Sequence, residues 1–328
     1  MSIPSDDASV PSAGQKTHPR AEATSITRYI AEAGSPRNLL FLFLVIVSLL
    51  VFWTPLRMLW EYSHRVGEHD YDKYSHTLLI PLITLVLVIM ERKKILANVQ
   101  YCIRAGAILL FAGLIMDGAG VLGINQLGVE NALSVRLLGL VAFWIGGFVL
   151  CYGVPACRAG AFPLLFLLLT VPIPSLWLDA PISTVRDGST EVCSLIFNLA
   201  GVPFLRNGYD FTLADISIEV AKECSGIHST LALFIVSLVA GHLFLTSSWK
   251  KGLLVLFVVP VVCFTNGLRI AGLTLLSVYV DPRFMHSNLH HEGGVGFFLL
   301  ALLFMFAILR LMRRRRRVKG PRSAVTLP

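Results

Sequence analysis

Charge is scarce in this chain. Of its 328 residues only 15% are Asp, Glu, Lys or Arg while 55% are hydrophobic, a balance that excludes a soluble domain of this length. Cysteine is thinly spread as well. Cys102, Cys151, Cys157, Cys193, Cys224 and Cys263 form no CxxC pair and take no zinc spacing with histidine, so neither a metal site, a cofactor nor a disulfide scaffold is expected. The first 36 residues lack the apolar stretch of a cleavable signal, and no internal repeat is evident. The net charge of +8 does not point to nucleic acid, because the basic residues sit at the two ends and beside apolar runs, where they act as topology signals.

What is present is a series of long apolar runs, which makes the chain an all-α polytopic membrane protein. Residues 1–36, rich in Ser, Ala and Pro, are expected to be a disordered cytoplasmic tail. Residues 37–312 form the transmembrane domain and 313–328 a basic cytoplasmic tail. About eight spans are expected: Asn38–Leu56, Thr77–Met90, Ala105–Leu122, Leu133–Tyr152, Ala161–Leu178, Ser225–Leu245, Gly252–Val280 and Gly294–Met312. Glu91-Arg92-Lys93-Lys94, Lys250-Lys251 and Arg313 to Arg317 fall on one side of this series and place both termini inside. Residues 179–223 then lie at the outer face. Their first half reads as an interfacial helix over Ile182–Ala200, and their second as a hairpin turning at Asn207-Gly208. Asp117 lies within a span and is expected to face the bundle interior as a structural group.

The chemistry concentrates around SIEVAKECSGIHST, residues 217–230. Cys224, preceded by Glu223, stands where an outer segment opens a span, and a helix start favours the thiolate form. Arg269 follows Lys250 by 19 residues, roughly 28 Å of helix, which places it near the outer face. His290 precedes the last span on that side, so three helices bring Cys, Arg and His to one level. A thiolate can attack a carbonyl, an imidazole can shuttle the proton, and a guanidinium can hold the oxyanion. Asn266, three residues before Arg269, shares its face and could orient it. His291 and His228, the latter four residues from Cys224, are alternatives to His290. His76 is a supporting candidate.

FPLLFLLLTVPIP (162–174), IEVAKECSGIHS (218–229), NGLRI (266–270) and HHEGGVGFF (290–298), with YSHTLLIPL (74–82) before them, together resemble the exosortase/archaeosortase family. The resemblance implies a multipass cysteine transpeptidase of the inner membrane with its active site at the outer, periplasmic face. Its expected substrates are exported proteins with a C-terminal signal: a motif such as Pro-Glu-Pro, a membrane helix and a basic cluster. The family's Cys, Arg and His match Cys224, Arg269 and His290. Membrane lipids and an acceptor of unspecified nature complete the expected partners. The alternative from another class is a transporter or polysaccharide-export component without peptidase activity.

Overall fold

The computed structural model describes residues 35–64, 76–213, 216–220, 227–281 and 288–314. Two helices open it, α1 (Pro36–Val51) and α2 (Trp53–His64), bent by 70° where they meet at Phe52. There follow α3 (Leu79–Ile95), α4 (Ile103–Leu122), α5 (Ile124–Ala159), the short α6 (Ala161–Phe166) continued by a 3-10 turn over Leu167–Thr170, and α7 (Ser175–Leu199). Three short strands, β1 (Leu205–Asn207), β2 (Asp210–Leu213) and β3 (Ile216–Glu219), make one antiparallel sheet in that order. The last helices are α8 (Ile227–Phe244), α9 (Ser248–Leu256), α10 (Val258–Tyr279) and α11 (Asn288–Arg314).

Among the described residues, four stretches are long and apolar enough to cross a membrane: α4, α5, α9 with α10 as Ser248–Tyr279, and Gly294–Arg313 of α11. The bent pair of α1 and α2 makes a fifth if it counts as one span. The expectation of eight spans is thus met only in part. A crossing takes about 20 residues of helix, whereas α3 has 17. The expected span Ala161–Leu178 stops at Thr170, because Pro172 and Pro174 cannot donate to a helical ladder and the chain straightens before α7 begins. Where an interfacial helix over Ile182–Ala200 and a hairpin are expected, the chain forms the longer helix α7, which starts at Ser175, and a sheet of three strands. Gly208, with φ +64°, makes its first turn, the backbone region a β-carbon disfavours.

Glycine brings α4 and α5 into close contact. Gly106, Gly113 and Gly120 recur every seven residues on one buried face of α4, against α5. A Cβ on Gly113 would meet the Gly139 carbonyl oxygen at 2.5 Å, and one on Gly106 would meet Leu150 at 2.4 Å. Small residues let two backbones approach in lipid, where dispersion contacts replace the hydrophobic effect as the attraction. Asp117 closes this interface: Arg136 Nε donates to its Oδ1 at 2.7 Å, with both side chains largely buried. Elsewhere α3, α6 and α8 are braced where His242 pairs with Glu91 and stacks on Phe162 at 3.7 Å between centroids.

The second half of the chain builds a separate core. Val185 of α7 joins Leu233, Leu254, Val258, Val262, Ala301, Met305 and Leu309 from α8 to α11. The sheet's inward residues Phe211, Leu213 and Ile218 pack with Cys193 and Phe197 of α7 and Ala271 of α10. Strand alternation turns these side chains inward and leaves their neighbours to solvent.

Candidate active site

The site is built around α10. Asn266 and Arg269 are three residues apart on this helix and share one side of it. Asn266 is buried, and its Nδ2 donates to Ser189 Oγ of α7 at 3.0 Å. Two glycines allow α7 to come so close. A Cβ on Gly188 would fall 2.5 Å from Cys263 Sγ, and one on Gly267 would fall 2.6 Å from Val192 Cβ. The Asn266 amide is therefore fixed from behind.

Arg269 is half-buried and reaches α11, where its Nη1 lies 4.0 Å from the position a Cβ on Gly294 would take. A Cβ there would meet the guanidinium only at ordinary van der Waals distance. Ser229 at the start of α8, Thr265, Asn266 and Arg269 of α10, and Gly294, Phe297 and Phe298 of α11 line one small cleft of about 20 Å³. That volume holds about one water-sized group. It is polar on the Asn266 and Arg269 side and aromatic on the other.

Two independent helices give the cleft the same depth. Lys250 Nζ donates to the Met312 carbonyl at 2.8 Å, which ties the start of α9 to the end of α11. From there, 19 residues along α9 and α10 reach Arg269, and 18 residues back along α11 reach Gly294. At about 1.5 Å per residue both paths are roughly 28 Å long, close to a hydrocarbon thickness. The cleft and the Arg-rich end of α11 therefore lie at opposite ends of this helix group.

The expected site residues distribute as follows. Arg269 and Asn266 line the cleft together. His290 and His291 belong to the first turn of α11, one turn and three residues before Gly294, and His228 is the second residue of α8, next to Ser229; their side chains lie outside the described residues. Cys224 and Glu223 also lie outside the described residues, between Val220 and Ile227. His76 stands half-buried before α3 and is not in the described lining of the cleft. Cys193 of α7 is a free buried thiol that donates to the Gly267 carbonyl at 3.3 Å. Burial pushes it up to about 12, away from thiolate chemistry.

Two arginines hold the sheet against α7. Arg186 of α7 donates through Nε to the Val220 carbonyl and through Nη2 to Glu219 Oε1 at 3.0 Å, and it lies 3.6 Å over the Tyr209 ring. Val220 is the last described residue before the 221–226 stretch that contains Cys224. Arg206 of β1 reaches back to Glu191 Oε1 at 2.8 Å and Ser194 Oγ at 3.1 Å. The bond from Arg206 holds the Glu191 carboxyl below its usual range, and donation to Asp187 at 2.6 Å raises the Tyr209 hydroxyl. Asp187 beside Arg186 is the one local hint of these tethers, since Arg206 stands between Leu205 and Asn207 and the partners of both arginines are distant in sequence.

A family model described as transmembrane exosortase matches residues 68–307, 240 of the 328. The match spans His76, Cys224, Asn266, Arg269 and His290. No curated protein and no solved structure matches the chain.

Proposed function

The chain belongs to the transmembrane exosortase family, and from that premise we propose that it is a cysteine transpeptidase for C-terminal sorting signals. The observation that carries this reading is the convergence of α8, α10 and α11 on the cleft at Arg269, since the motif residues Cys224, Arg269 and His290 come from just before α8, from α10 and from the start of α11. The Lys/Arg pattern supports an outer-face location for that end, with both termini inside the inner membrane.

In the proposed reaction a substrate helix docks laterally, with its basic tail inside and its cleavage motif under the sheet. The Cys224 thiolate attacks the scissile carbonyl and forms a C–S bond. Arg269 holds the developing oxyanion, and Asn266, fixed by Ser189, supports the same wall of the cleft. As the tetrahedral intermediate collapses, the C–N bond breaks and His290 protonates the leaving amine, so that the C-terminal helix departs and a thioester remains. An amine or another acceptor then attacks the thioester, His290 takes its proton, and the thiolate returns.

The test is processing of an exported protein with motif, helix and basic cluster, followed as loss of its C-terminal helix. Cys224→Ala is expected to abolish processing at unchanged protein level, and Cys224→Ser to retain little or none. Mass spectrometry should detect the substrate covalently on Cys224 when the acceptor is withheld. Full processing by Cys224→Ala would remove the mechanism and favour the transporter reading.

A further inference from the structure

At the end opposite the cleft, α8, α9 and α11 enclose a groove of about 270 Å³. Its floor is apolar and buried: Leu254 of α9 with Met305 and Leu309 of α11. Ser237, also in the lining, donates its hydroxyl to the Phe234 carbonyl at 2.7 Å and so asks nothing of an occupant. Exposed Phe244 and Phe306 form opposite walls. Over each wall lies an arginine at the mouth, Arg313 at 5.2 Å from the Phe244 centroid and Arg310 at 4.9 Å from that of Phe306. Among the described residues no carboxylate pairs with either guanidinium.

We propose that this groove is a binding site for an anionic phospholipid. One acyl chain lies on Leu254, Met305 and Leu309 between the two phenylalanines, and the phosphate sits between Arg310 and Arg313. The shape asks for a long apolar body with one anionic end, which is the outline of such a lipid. Charge decides against a substrate helix as occupant, because a segment ending in a basic cluster would be repelled at the mouth by Arg310, Arg313 and the run that follows to Arg317. Stacking on the phenylalanines holds both guanidinium groups at the rim, so little side-chain freedom is lost when phosphate arrives. A basic residue near a membrane surface favours an anionic headgroup by about fivefold, so two give roughly a thirtyfold preference over a neutral one.

The experiment is native mass spectrometry of the full-length protein, purified in neutral detergent and titrated with phosphatidylglycerol and phosphatidylcholine of equal chain length. One phosphatidylglycerol is expected to be retained with about thirtyfold preference. Arg310→Gln with Arg313→Gln should bring the preference close to one. Ala240→Trp, which fills the groove and leaves the arginines, should remove retention, and Val236→Trp at the exposed wall serves if Ala240→Trp does not fold. Equal retention of the two lipids, or a preference that survives the arginine exchange, would overturn the site. So would a preference indifferent to both tryptophans, which would mean headgroup contact alone, or a lipid-free dimer closed over the groove.

Discussion

Arg186 offers the sharpest test of how the sheet serves the proposed nucleophile, because it grips the chain four residues before Cys224. Arg186→Met removes a charged donor from the Val220 carbonyl, worth about 1.5–3 kcal/mol, and the contact with the Tyr209 ring, worth about 0.5–1. The ion pair adds little: its Glu219 side chain is 61% exposed, so solvent screens it to about 0.5 kcal/mol. A local loss near 3 kcal/mol shifts the opening of the β3 end about a hundredfold, while the rest of the fold, held by the Phe211 and Phe197 cluster, stays intact. Processing at saturating substrate should fall at least tenfold in proteoliposomes with KM changed little. The alkylation rate of Cys224 by a small maleimide should change in the same variant, and Arg186→Lys should recover part of both. Arg206→Met, which loosens the far strand, should cost no more than about twofold. Wild-type processing and alkylation in Arg186→Met, or an equal loss in Arg206→Met, would refute the tether.

The remaining expectations are independent of it. His290→Ala should abolish processing while His291→Ala and His228→Ala leave measurable activity, and the reverse ranking would move the proton shuttle to the start of α8. A reporter fused after Arg206 should be active only outside the cytoplasm; activity inside would invert the assignment of faces. Gly113→Val should destabilise the bundle by about 1–3 kcal/mol, read as a lower melting temperature in detergent, because its Cβ would meet the Gly139 carbonyl at 2.5 Å. Gly118→Val on the same helix, with open space around its Cβ and a better helix former in place of glycine, should not destabilise the bundle, and equal effects would dismiss the glycine interface.

Composition alone determined that the chain lives in a membrane, because no soluble fold of this length can cover so much apolar surface. Apolar runs and basic clusters located α4 to within two residues and the central parts of α5, α10 and α11, whose ends lie up to nine residues from those expected, since a span needs little beyond local apolarity and length. The polar Asn207-Gly208 pair marked the turn from β1 to β2 for an equally local reason. The motif order gave the family, and the rise of a helix placed Arg269 near one end of its span, at the level expected for Cys224 and His290, before any tertiary contact was known.

Tertiary structure decided what depends on two segments meeting. The apolar run from Ala161 breaks at Thr170, and among the described residues four or five stretches, not eight, are long and apolar enough to cross a membrane. Asp117 was placed inward by sequence, but only the fold supplied Arg136 as its partner, 19 residues away. The sevenfold glycine spacing of α4 carries meaning only once α5 lies against it. Likewise the bond from Asn266 to Ser189 and the grip of Arg186 on Val220 join residues 77 and 34 positions apart. Hydrophobic periodicity reports which side of a helix is buried, whereas the partner across the interface is set by the packing of whole helices, and that information is not local to any stretch of chain.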